Sequence, residues 1–152
     1  MVTLTYLLLF LTLLASVLYF YTKKKAKKQI ENIIVLGKLP ILYGKHYHTF
    51  KKIDKLRLLF GAIALITLTI GIYAATVDHE LTTLGLADAI CFFSLFFAFL
   101  MELLQIKNMQ KYKIQYAPEL KISNKEKKIR LISIYLLCFC FFLLGILFFL
   151  IV

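Results

Sequence analysis

The chain has 152 residues, 61% of them hydrophobic, with a mean hydropathy of +0.82 and a formal net charge of +11. A soluble domain would be about 45–50% apolar, and here the excess is gathered in four long runs, which excludes a water-soluble globular domain. All 19 basic residues fall in two stretches between those runs, Lys23–Arg57 and Lys107–Arg130, so the charge describes how the chain sits in a bilayer before it describes any ligand.

The first apolar run, Val2–Tyr21, has the roughly 20 residues a helix needs to cross a ~30 Å hydrocarbon core. No basic residue precedes it and five lysines follow at once, the reverse of a secretory signal. Tyr19, Phe20 and Tyr21 stand where a cleavage site would need small residues. A retained anchor with its N-terminus outside is expected. The following loop, 22–55, opens with a charged helical extension, Lys23–Glu31. Asn32–Tyr43 is rich in Ile and Leu but broken by Gly37 and Pro40. It is too short to span, and its flanking Lys and Tyr residues suit a segment lying in the inner interface. His46-x-His48 follows. Alternate histidines share a face only in a strand, so these are expected to face headgroups rather than hold a metal.

The second run, Leu56–Val77, carries a small-residue ladder, Thr67, Gly71 and Ala75, of the kind that lets a neighbouring helix approach closely. The outer turn, 78–83, holds Asp78, His79 and Glu80. Adjacent side chains diverge, so this is expected to be an acidic helix–helix turn capped by Thr82 or Thr83, not a metal site.

The third run, Leu84–Leu104, is the most informative. At 100° per residue Asp88, Cys91, Leu95, Ala98, Glu102 and Gln105 share one arc, while Phe92, Phe93, Phe96, Phe97, Phe99 and Leu100 cover the rest. A polar stripe facing protein and an aromatic face against lipid are expected. Intramembrane carboxylates persist where they face a bundle interior or a water-filled path, so Asp88, Glu102, Cys91 and Gln105 form the candidate polar site. Asp88 is the stronger candidate, because Glu102 has Lys107 nearby and Asp88 has no basic neighbour. The third helix is expected to run on to about Pro118. The fourth run, Ile129–Val152, is almost wholly apolar and is expected to touch lipid over much of its surface. Cys91, Cys138 and Cys140 lie within apolar runs, form no CxxC pair and read as packing residues.

Basic residues stay on the cytoplasmic side. Loop 22–55 with the start of run two carries 11, loop 105–128 with the start of run four carries 8, and the outer turn carries none. The fold class expected is therefore all-α: a single polytopic membrane domain of four transmembrane helices arranged as two hairpins, with both termini extracytoplasmic. The returns into runs two and four are alike: Lys52-Ile53-Asp54-Lys55-Leu56-Arg57-Leu58-Leu59 against Lys125-Glu126-Lys127-Lys128-Ile129-Arg130-Leu131-Ile132. This is a faint sign of a duplicated hairpin, or simply the common form of a cytoplasmic helix start.

Catalytic signatures such as HExxH, GxSxG, a Walker A loop or GxGxxG are missing from the sequence, so neither an enzyme nor a cofactor is expected. The basic loops lack base-stacking motifs and meet an anionic inner leaflet first, so nucleic acid is not an expected partner. Lys outnumbers Arg 17 to 2, a bias that suits an AT-rich bacterial genome. The expectation is a small non-enzymatic protein of a bacterial plasma membrane, acting by helix–helix contact with a membrane-protein partner or as a homo-oligomer. An immunity-type protein or an accessory subunit of a secretion or transport assembly would both fit. The alternative is a small oligomeric transporter or channel using Asp88 and Glu102.

Overall fold

The computed structural model describes residues 2–35, 43–78, 81–112 and 123–151. Among them the chain is all-helical: α1 (Val2–Val35), a 3-10 turn (Gly44–His46), α2 (Tyr47–Tyr73), a π turn (Ala74–Asp78), α3 (Leu81–Lys111) and α4 (Asn124–Ile151). All four long helices are apolar and long enough to cross a membrane, compatible with a multi-pass membrane protein.

The helices are longer than the apolar runs inside them. α1 continues through the lysines to Val35, giving about 50 Å of helix at 1.5 Å per residue, so Asn32–Val35 extend a helix. The remainder of the expected interfacial segment, 36–42, lies outside the described residues. α2 begins nine residues before Leu56. Gly44 at φ +50° sets the turn that precedes it, a conformation that suits a residue without a Cβ. Aromatic stacking then fixes this start: Tyr43 lies on the buried Phe50, ring centroids 4.5 Å apart, and His46 lies on Tyr112 at the end of α3, 3.8 Å apart. α3 ends at Lys111; 113–122, where a run on to Pro118 was expected, are outside the described residues. α4 starts with a capping box. Ser123 N–H donates to Glu126 Oε2 and Glu126 N–H to Ser123 Oγ, both at 3.3 Å, which satisfies orphan amides at the helix N-terminus.

Packing follows the order α1–α4–α3–α2. α4 lies against α1 and α3, and α2 lies against α3. Consecutive in sequence, α1 and α2 do not pack along each other. α1 buries one narrow stripe, Leu8, Thr12, Ala15, Tyr19 and Thr22, at the 3-4 spacing of a coiled-coil seam. Its threonine hydroxyls are satisfied within the helix, Thr12 donating to Leu9 O and Thr22 to Tyr19 O, as a low-dielectric setting requires.

α4 is the most enclosed helix, with Ile134, Leu137 and Leu144 fully buried, while Ile132, Phe139, Phe149 and Leu150 leave much of its surface exposed. The expectation corrected here concerns α3, whose aromatic face is turned largely inward. Phe99 stacks on Phe141, Phe92 tilts against Phe148 and Phe96 against Phe142. Hydropathy does not distinguish a lipid neighbour from an apolar protein neighbour; shape does, and ring–ring contact adds about 0.5–1.5 kcal/mol per pair beyond area.

At Gly145 α4 comes close to α3: a Cβ there would lie 3.0 Å from the Phe93 ring, whereas one at Gly61 would meet nothing within 4 Å. Gly145→Val should lower stability by about 1–3 kcal/mol through overpacking, while Gly61→Ala should leave it unchanged or raise it. Thermal melts of the detergent-solubilised protein check this; equal melting temperatures for the two variants would refute the contact.

Candidate functional site

α2 and α3 meet along two interlocking heptads. On α2 the residues facing inward are Phe50, Ile53, Arg57, Phe60, Ala64, Thr67 and Gly71, continued by Ala74 of the π turn; on α3 they are Asp88, Cys91, Leu95, Ala98, Glu102 and Gln105. The helices run antiparallel, so the small upper part of one seam covers the upper part of the other. A Cβ at Gly71 would lie 3.3 Å from Asp88 Oδ1 and 3.5 Å from Ala87 Cβ. Cys91 Sγ donates to Ala64 O at 3.4 Å, and Thr67 Oγ1 donates back to Ile63 O at 2.9 Å. Thr67 and Gly71 thus take their expected places in the ladder, but Ala75 does not. It is exposed, and Ala74 is buried instead. Strict four-residue steps drift off a seam that needs alternating threes and fours, and the π turn begins at Ala74.

At the basic end the seam changes character. Glu102 is 3% exposed and collects a partner from every other helix. Tyr19 of α1 donates its hydroxyl to Oε2. Arg130 of α4 donates from Nη2 to Oε1 at 2.8 Å. Arg57 of α2 brings Nη1 to 3.7 Å from Oε2, and Lys23 of α1 brings Nζ to 4.0 Å. Around this core, Lys23 Nζ donates to the Tyr19 hydroxyl at 2.7 Å, Arg57 Nη1 donates to Gln105 Oε1 at 3.4 Å, and Arg57 Nη2 lies 3.1 Å from Asp54 Oδ1. That last contact is an ion pair without hydrogen-bond alignment, and Arg130 Nε, also buried, has no hydrogen-bond partner among the described residues.

The stripe is therefore two sites. Glu102 and Gln105 join the four-helix cluster. Asp88 and Cys91 lie higher, against Gly71 and Ala64, and none of the ion pairs among the described residues includes Asp88. Asp88, the stronger candidate from sequence, lies outside the ion-pair cluster, and Glu102 takes its partners from other helices and not from Lys107. The outer acidic turn contributes little that can be described: Asp78 closes the π turn, and His79 and Glu80 lie outside the described residues. Among the described residues no group of three or more His, Cys, Asp or Glu is placed to hold a metal.

No protein-family model matches this chain, and no curated protein or solved structure matches it either.

Tyr19, Lys23, Arg57 and Arg130 were not singled out from sequence, although a signal existed. The chain has two arginines among 19 basic residues. They occupy matched places in the two related segments, Lys55-Leu56-Arg57-Leu58 and Lys128-Ile129-Arg130-Leu131, and both reach one carboxylate. Guanidinium suits this task because it stays charged and presents a planar fork of donors to a carboxylate.

Removing the buried carboxylate leaves part-exposed cations without their shared partner, which costs up to about 3 kcal/mol, the lower limit for a fully buried pair. Glu102→Leu should lose that amount, Glu102→Gln less, and Tyr19→Phe about 1.5–3 kcal/mol for one charge-assisted hydrogen bond. A double-mutant cycle on Tyr19→Phe and Glu102→Gln, read by thermal unfolding, should be non-additive; strict additivity would contradict a shared bond. Higher in the seam, Gly71→Leu should separate α2 from α3 and destabilise by about 1–3 kcal/mol, whereas Ala75→Leu should be tolerated. The same melts decide between them.

Proposed function

We propose that this protein is a small non-enzymatic, multi-pass protein of a bacterial plasma membrane, with both basic loops cytoplasmic, and that it acts by helix–helix contact with a membrane-protein partner. An immunity-type protein and an accessory subunit of a secretion or transport assembly are the two forms this takes. The observation that carries the reading is how the polar stripe of α3 is used. A conduit would need that stripe open to water. Instead α2 covers it, with Gly71 at Asp88, Ala64 at Cys91 and Arg57 at Gln105, and its one deeply buried carboxylate is occupied by partners from three helices. Polar groups here serve to join helices, the use that intramembrane polar residues have when they face protein.

The lateral surface supports the same reading. α1 is held by one stripe, and Phe10, Leu13 and Val17 on its other faces are 61–66% exposed. Lipid covers such residues equally well, so the discriminating measurement is proximity in the native membrane. Photo-crosslinkers at Phe10, Leu13 and Val17 should give one dominant protein adduct, and the same protein should be recovered by detergent pull-down at native expression with a reciprocal tag. Recovery of monomer alone, with no phenotype on deletion, would overturn the proposal. A solute flux in proteoliposomes abolished by Asp88→Asn would replace it with the transporter alternative.

A further inference from the structure

We infer that the basic end of the bundle binds the phosphate of an anionic phospholipid between Lys23 of α1 and Arg57 of α2. Glu102 is already served at both oxygens, by Tyr19 and by Arg130, while Arg57 and Lys23 stand back at 3.7 and 4.0 Å. An ammonium carries three donors and a guanidinium five. Among the described contacts Lys23 spends one donor on the Tyr19 hydroxyl, and Arg57 spends one on Gln105 in a long bond and meets Asp54 out of alignment. Both side chains keep donors in hand, and both are part-exposed, 43% for Lys23 and 31% for Arg57.

Charge and distance agree with that. Lys23, Arg57 and Arg130 face Glu102 and Asp54, leaving one positive charge in excess. Because both cations lie within 4.0 Å of the same oxygen, they are less than about 8 Å apart, a gap one phosphate can bridge with contacts of about 2.8 Å on each side. α1 and α2 do not pack along each other, so these two cations are flanked by helices whose nearby side chains, Leu18 and Tyr21 on one and Leu58 and Leu59 on the other, are exposed. Lys23 follows the first apolar run and Arg57 stands at the start of the second, where a phospholipid would carry its phosphate at the membrane boundary with its chains alongside. Basic pockets between transmembrane helices bind anionic headgroups on these terms.

The test is native mass spectrometry of the full chain in detergent, titrated with phosphatidylglycerol, phosphatidylcholine or inorganic phosphate. Phosphatidylglycerol should be retained in preference to phosphatidylcholine. Lys23→Gln should weaken its binding about fivefold, and Asp54→Asn, which removes an opposing carboxylate, should strengthen it by a similar factor. Lys51→Gln, whose ammonium lies over the Tyr47 ring, should change nothing. An unchanged melting temperature certifies the fold of each variant. Equal retention of the two lipids, indifference to both Lys23→Gln and Asp54→Asn, or an equal loss with Lys51→Gln would overturn the site. Displacement of phosphatidylglycerol by inorganic phosphate at the same concentration would show a free-anion site and overturn the lipid assignment.

Discussion

One buried carboxylate organises this molecule. Glu102 draws a hydroxyl from α1 and a guanidinium from each of α2 and α4 onto a single side chain of α3. In an apolar bundle, van der Waals packing alone is weakly selective, because lipid tails are as apolar as leucine. A desolvated charge is selective. It must be met by opposite charge and aligned donors, and the arrangement of these four helices supplies them. The apolar contacts above the cluster add area; the cluster fixes which helices stand together and at what height.

The α2–α3 seam is what delivers Arg57 to that point. Small residues in its upper part, from Ala64 to Ala74, let the two backbones close, and the heptad spacing carries the same face down to Arg57 without rotating it away. Across α4 the means are different. Phe92, Phe96 and Phe99 fill the space with rings, and Gly145 yields room for Phe93. One side of α3 thus uses absence of bulk and the other uses bulk, and Glu102 sits where both conditions are met.

The four helices were legible in the sequence because length and hydropathy are local properties. The polar stripe of α3 was legible because it is a one-helix period. Helix order was not, since nothing in a uniformly apolar run such as Phe139–Val152 states whether lipid or protein surrounds it. The same limit hides the partners of Glu102. Sequence neighbours suggested that Glu102 was served by Lys107, while its partners lie 28 to 83 residues away, in Arg130, Arg57 and Tyr19. Rarity was the readable clue: two arginines in a lysine-rich chain, at matched positions, fit a requirement for a planar, permanently charged donor that lysine does not meet. The shift from Ala75 to Ala74 is a finer case, where counting in fours overran a seam that alternates threes and fours.

The position of α1 has a consequence for how the protein is made. Its packed neighbour is α4, the helix most distant from it along the chain, and α1 and α2 share no seam. A chain that emerges N-terminus first therefore completes α1 with its Thr12–Ala15–Tyr19 stripe uncovered and with Glu102 not yet synthesised. α2 and α3 can pair as soon as both exist; α1 has to wait for the final segment. The α1–α4 seam is thus among the last that a growing chain can close.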